Sequence, residues 1–223
     1  MYKRDQKREA LYRYTVVNEY KYPAHIFALD YYEPGSHGED EFSRKEVWFY
    51  YIGDDELEKE FSSRVEKLLD DLFVNNSIDW NYFTLAPSNE IDGLNENMLK
   101  ICDTISEKEE IEYRQVLRRS MKVDESDEMS STRQKVINQE GSIEITQDVE
   151  GDNIIILDNV SVSGVYLAYC TKMLLEADAK TVCCVVLGVT NSIRDVKRLE
   201  KGTTASNAMV TLLDEAKGDE SDE

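Results

Sequence analysis

The residues best suited to chemistry gather in one short run, Asp158-Asn159-Val160-Ser161-Val162-Ser163-Gly164, directly after the apolar stretch NIIIL at residues 153–157. An acid at the tip of a buried strand, followed by hydroxyls and a glycine where a helix begins, suits a sugar phosphate. The helix start offers unpaired N–H groups and a partial positive charge to a phosphate. Ser161 and Ser163 add hydroxyl donors, and Gly164 lets backbone approach an anion with no Cβ in the way. Asp158 can accept hydrogen bonds from ribose hydroxyls. Plainer roles compete at each position: Asp158 as the N-cap of the following helix, Asn159 as a turn residue, the two serines as caps.

The elements that must position this run are legible around it. Residues 153–157 form a continuous apolar run of the kind buried on both faces of a parallel sheet. Leu167, Cys170, Thr171, Leu174 and Leu175 then mark one side of a helix, and residues 181–189 (TVCCVVLGV) read as a second buried strand. Strand, helix, strand makes a right-handed βαβ crossover. The whole chain therefore reads as α/β, an open, mostly parallel sheet with helices on both faces and ligand at the carboxyl ends of the strands.

Upstream, residues 24–32 and 45–52 are aromatic and branched, with EPGSHGED near the turn between them, which predicts a β-rich N-terminal cap or hood. Leu57, Phe61, Val65, Leu68, Leu69 and Leu72 stand at helical spacing behind the helix-start acids Asp54 and Asp55. Residues 80–85 read as a strand ending at Ala86-Pro87-Ser88, and Leu94, Met98, Ile101, Cys102 and Ile105 as a second helix. A strand at 112–119, a polar mobile loop at 120–137 and a short strand at 142–147 follow. The expected organisation is a basic arm and cap (1–53), an α/β core (54–195) and an extension with an acidic tail (196–223).

The segment NIIILDNVSVSGVYLAYCTKMLLEADAKTVCCVVLGVT resembles the phosphoribosyl-diphosphate-binding segment of type I phosphoribosyltransferases. That pattern is an apolar strand, two acids, a branched residue, a variable residue, two hydroxyl or small residues and a glycine, then a helix and another apolar strand. Asp158 matches the first acid, Val160 the branched position, Ser163 the second hydroxyl and Gly164 the glycine, with Glu176-Ala177-Asp178-Ala179 in the usual "GA" region. A fainter likeness to the ComF-type branch extends upstream through Ala86, Pro87 and Ser88, where that family places its diphosphate loop. It continues in GLNENMLKICDTI and in the stretch to Arg133, which resembles the mobile catalytic loop. The resemblance implies binding of 5-phosphoribosyl 1-diphosphate with Mg²⁺ and transfer of phosphoribose to or from a nitrogenous base. By the same token Asp158 and Asn159 hold ribose hydroxyls, residues 161–164 hold the 5′-phosphate and residues 86–88 face the diphosphate. It departs from the pattern at Asn159, where the second acid is expected, at Val162, a lost hydroxyl, and at Tyr166, where a small residue is usual. Those departures favour a second expectation, a catalytically impaired regulator or partner-binding module. A generic doubly wound domain for another sugar phosphate is a third. No residue is singled out as catalytic.

Composition limits the remaining classes. In 223 residues, 46 acids against 26 Lys+Arg give a net charge of −20. A field of that sign repels phosphate backbones and anionic lipid, which disfavours general nucleic-acid binding and membrane attachment. No apolar run spans a bilayer and the first 22 residues hold no signal-peptide core, so the expected location is cytoplasmic. The acidity fits a surface adapted to high salt or a mesophilic acidic protein; Lys outnumbers Arg, 15 to 11. A homodimer is compatible with the sequence. Cys102, Cys170, Cys183 and Cys184 form no CxxC pair and have no partnering His cluster, so they read as reduced, buried residues with no metal site. His25 and His37 are expected to do no chemistry, and Arg118, Arg119, Arg133 and Lys135 to be solvated charges.

Overall fold

Two long strands, β7 (Asn153–Ser161) and β8 (Thr181–Thr190), form the centre of a seven-stranded sheet of order β4-β3-β7-β8-β2-β1-β9. They belong to a computed structural model that describes residues 11–34, 40–74, 78–108, 111–124, 129, 131–190 and 196–198. The other strands are β1 (Leu11–Thr15), β2 (Ala24–Tyr32), β3 (Tyr82–Leu85), β4 (Glu112–Tyr113) and β9 (Val196–Arg198). β4, β3, β7, β8 and β2 run parallel to one another, whereas β1 is antiparallel to both β2 and β9. A separate antiparallel pair joins β5 (Leu117–Arg119) to β6 (Ile143–Ile145).

Alternation along the central strands builds two cores. Ile155 and Leu157 of β7 with Cys183 and Val185 of β8 face one layer, packed against α1 (Glu41–Ile52), α2 (Asp55–Val74) and α3 (Glu96–Lys108). Ile154, Ile156, Val182, Cys184 and Val186 face the other, against α5 (Val165–Glu176), α4 (Thr132–Gln139) and the β5–β6 pair. Both faces of the central strands are therefore dry, which is why NIIIL and VCCVV show no polar alternation. The expected α/β architecture with helices on both faces is what the chain adopts. All four cysteines are free and buried, and no described helix is long and apolar enough to cross a membrane.

Several expectations are corrected. The stretch at 45–52 is not a strand but most of α1. Phe42, Glu46 and Phe49 form its buried stripe, Asp40 accepts from the Ser43 amide at its start, and Gly53, at φ 79°, ends it by donating to the Phe49 carbonyl. Aromatic β-propensity misleads here because propensity in strands reports packing, and these rings pack from a helix. The N-terminal strands do not form a separate cap: β2 pairs in parallel with β8 from Ile26↔Cys184 to Tyr32↔Thr190. The sheet thus takes strands from both sides of the expected boundaries at residues 53 and 195. The expected strand at 112–119 is split between β4 and β5, and part of the expected loop at 120–137 is α4, capped by Ser131 on the Gln134 amide. Residues 1–10 of the basic opening, His37 and the acidic tail lie outside the described residues; Arg13, expected in a frayed arm with that opening, is instead a buried residue of β1.

Candidate functional site

Sheet order places the site. From β3 the chain moves outward to β4, and from β7 it moves the opposite way to β8, so the direction of winding reverses between β3 and β7. At such a reversal the connections leave on opposite sides and open a crevice at the carboxyl ends of the two strands, where open α/β sheets bind ligands. β3 ends into Ala86-Pro87-Ser88 and β7 into residues 162–164, so the two stretches singled out in the sequence flank this crevice. The ladder holds them together: Ala86 N–H donates to the Leu157 carbonyl at 2.8 Å.

The 158–164 run is not one loop. β8 continues to Thr190 and gives β7 ladder partners as far as Val160↔Gly188 and Ser161↔Val189. Asp158, Asn159, Val160 and Ser161 are therefore strand residues, and only Val162, Ser163 and Gly164 make the bend. The helix N-cap is Gly164, without a side-chain cap, so Asp158 does not cap α5. Gly164 sits at φ 75°, and a Cβ there would lie 2.4 Å from Thr15 Oγ1. Conformation and the close approach of β1 both require glycine at this position.

Asp158 Oδ1 accepts from the Asn159 amide at 2.9 Å. Burial raises its carboxyl to about 7, opposed by the Asn159 amide and the Arg119 charge. Asn159 donates from Nδ2 to Glu46 Oε1 at 3.0 Å. Glu46, 2% exposed on α1, is also raised to about 7, mainly by burial, with the Asp158 charge adding to it and the Asn159 hydrogen bond opposing. Sequence reading missed Glu46 because its helix was read as a strand; the Asp40 cap and the four-residue step from Phe42 were the available signal. Val160 packs beside Gly188. Ser161 Oγ is buried with no hydrogen-bond partner among the described residues.

Arg13 and Thr190 stand behind the bend. Arg13 Nη1 donates to the carbonyls of Ser161 (3.1 Å) and Val162 (3.0 Å), and Nη2 donates to the Thr190 carbonyl. Thr190 Oγ1 donates to the same Val162 carbonyl at 2.7 Å. Neither residue was singled out in the sequence, since a basic residue near the N-terminus gives no sign that it will reach a carbonyl almost 150 positions away.

Across the crevice, the Ser88 amide donates to the Gly93 carbonyl at 2.8 Å and its hydroxyl accepts from the Glu90 amide at 3.3 Å. Ala86 and Pro87 are buried. The Ser88 carbonyl accepts from Arg119 Nε at 2.9 Å. Arg119 is a second correction: it is fully buried, because the alternation of β5 turns Leu117 and Arg119 inward and Arg118 outward. Its Nη1 reaches Gln139 Oε1 and Ser142 Oγ, while its Nη2 has no hydrogen-bond partner among the described residues. Arg118, Arg133 and Lys135 stay at the surface as expected.

Tyr166 joins the two sides. Its hydroxyl donates to the Pro87 carbonyl at 2.5 Å and its ring lies 5.0 Å from the Arg119 guanidinium. The side chain therefore leads away from the 162–164 bend and across the crevice. A cavity of about 200 Å³ opens beyond the β3 turn, lined by Pro87, Gly93, Leu94, Gln115 and Arg119 among others; residues 158–164 do not line it. No group of three His, Cys, Asp or Glu among the described residues gathers to hold a metal.

These features define an α/β protein with a mostly parallel sheet whose winding reverses between β3 and β7, with Asp158 at the end of β7 and the buried Arg119 beside the β3 turn. Among solved structures the chain is similar to the hypoxanthine phosphoribosyltransferase of Trypanosoma cruzi, at 14% identity and TM-score 0.41, over 63% of this chain and 70% of that one. A lysine-to-arginine variant of that enzyme with its product IMP gives 12% and 0.39, over 60% and 63%. Its ternary substrates complex gives 14% and 0.37, over 66% and 94%. No family model and no curated protein matches the sequence.

Proposed function

We propose that the crevice between β3 and β7 binds 5-phosphoribosyl 1-diphosphate and that the chain transfers phosphoribose to or from a nitrogenous base, as a ComF-type member of the type I phosphoribosyltransferase-like group. The observation that carries this reading is the placement of residues 86–88 and 158–164, far apart in sequence, on the two sides of one winding reversal. Asp158 and Asn159 accept from or donate to the ribose hydroxyls. The bend and first turn of α5 receive the 5′-phosphate, on backbone N–H groups and the helix dipole. The diphosphate lies toward residues 86–88 and the Arg119 charge.

Mg²⁺ would arrive on the diphosphate. Hard carboxylate oxygens suit it, and it commonly takes one or two of them while substrate phosphates and water complete its shell. Asp158, at the end of β7 beside the β3 turn, would be one such group, and the ion would supply charge neutralisation at the leaving diphosphate. Asp158 and Glu46 place negative charge beneath the sugar, where an oxocarbenium-like centre would develop. Glu46 thereby restores, from another element, the second acid that Asn159 lacks.

Isothermal titration with 5-phosphoribosyl 1-diphosphate and Mg²⁺ tests the reading. Saturable binding that weakens about tenfold or more in Asp158→Asn is expected, since hydrogen bonds to a charged group contribute about 1.5–3 kcal/mol. Absence of binding by the folded wild type rejects it.

One observation favours the regulator instead. Tyr166 already bridges to Pro87, and the Ser88 amide and hydroxyl are engaged within their own turn. In that case the ligand binds, no base releases diphosphate from it, and Tyr166→Ala tightens binding without creating turnover.

A further inference from the structure

Three carbonyls at the carboxyl ends of β7 and β8 turn toward one side chain. Arg13 Nη1 takes both the Ser161 and the Val162 oxygens, and Nη2 takes that of Thr190. Arg13 is 1% exposed although it carries a full charge. The Val162 oxygen is held a second time by Thr190 Oγ1, and Thr15, two residues along β1 from Arg13, closes against Gly164.

The consequence follows from peptide geometry. There is no cis bond in the described chain, and in a trans peptide the carbonyl of one residue and the N–H of the next point in opposite directions. With the Ser161 and Val162 carbonyls both aimed at Arg13, the N–H groups of Val162 and Ser163 both point away from it. Two successive amides on one side, followed by Gly164 in the left-handed region, are the ingredients of an anion-binding nest, continuous here with the start of α5. Without the clamp, each of these planes could rotate and present its oxygen to the crevice.

We propose that Arg13, seconded by Thr190, is the positioning residue that fixes the amides of the 162–164 bend for a phosphomonoester and sets a positive charge behind them. This rests on the phosphoribosyl reading above and gives the valine in place of a hydroxyl at position 162 a compensating device: the donor is the amide, oriented from behind. Arg13 does not touch the ligand. Its planar fork serves three oxygens at once, whereas a lysine ammonium at the same place cannot match that geometry.

The test uses the full chain, ribose 5-phosphate as probe for the bend and inorganic diphosphate with Mg²⁺ as probe for the β3 side. Arg13→Lys weakens ribose 5-phosphate binding about tenfold and Thr190→Val about threefold, the range expected when one or a few oriented hydrogen bonds are lost. Diphosphate affinity is unchanged in both. Should Arg13→Lys fail to fold, Thr190→Val alone decides, because it removes one hydroxyl from a strand end and keeps its shape. Wild-type binding of ribose 5-phosphate that folded variants retain in full overturns the role of Arg13, as does an equal loss of both probes. A wild type that binds neither probe overturns the phosphoribosyl reading, and this role with it.

Discussion

Glu46 and Asn159 form a polar pair that ties the buried face of α1 to the end of β7. An amide at position 159 cannot carry charge, yet its Nδ2 is fixed on a buried carboxyl at 3.0 Å, which leaves its oxygen oriented as an acceptor. The arrangement costs stability. Glu46 titrates near 7 in the folded chain against about 4.3 when unfolded, so the folded state binds the extra proton and folding weakens as pH rises from about 4 to 7. Above that window the penalty is constant. Glu46→Gln removes it while keeping an acceptor for Asn159. The melting temperature of Glu46→Gln minus that of the wild type should therefore grow from pH 5 to pH 8; a difference independent of pH would show that Glu46 is not held in its raised state.

At the scale of elements, the bend between β7 and α5 is held tightly from both sides. Gly164→Ala forces a Cβ into the left-handed region and within 2.4 Å of Thr15 Oγ1. Strain of this kind costs about 1–3 kcal/mol, and the clash with a buried β1 side chain adds to it, so chemical denaturation should show at least that loss. A variant as stable as wild type would mean that β1 does not press on the bend. The same scale explains which elements could be read in advance. α2, α3 and α5 carry apolar residues at helical spacing, and β7 and β8 are apolar throughout, so their types were plain. α1 was not, because four consecutive aromatic residues, 48–51, hide its buried stripe of Phe42, Glu46 and Phe49. α4 was not, because only Val136 and Gln139 of its residues are buried.

For the molecule as a whole, the charge of −20 sets its relation to salt. Like charges at this density repel one another and oppose compaction, and salt screens them over about 10 Å at 0.1 M. The melting temperature should rise with KCl up to a few tenths molar for that reason alone. A continued steep rise into the molar range would identify a surface adapted to high salt, and a plateau would identify an ordinary acidic protein. The dry central strands are insulated from this effect, since their partners are apolar on both faces.

What the sequence determined by itself is local: the buried strands, the amphipathic helices, the glycine-ended run after residue 157 and the reduced state of the cysteines. Each follows from a pattern that spans a few turns or one strand. The tertiary structure alone decided that β2 joins the main sheet beside β8, that winding reverses between β3 and β7, that Glu46 reaches Asn159 and Arg119 lies against Tyr166, and that Arg13 closes behind the 162–164 bend. Those placements depend on which strand pairs with which, and on burial that draws polar side chains to distant backbone partners. Neither leaves a periodic trace in the chain, because a contact across more than a hundred residues is fixed by the packing of whole elements.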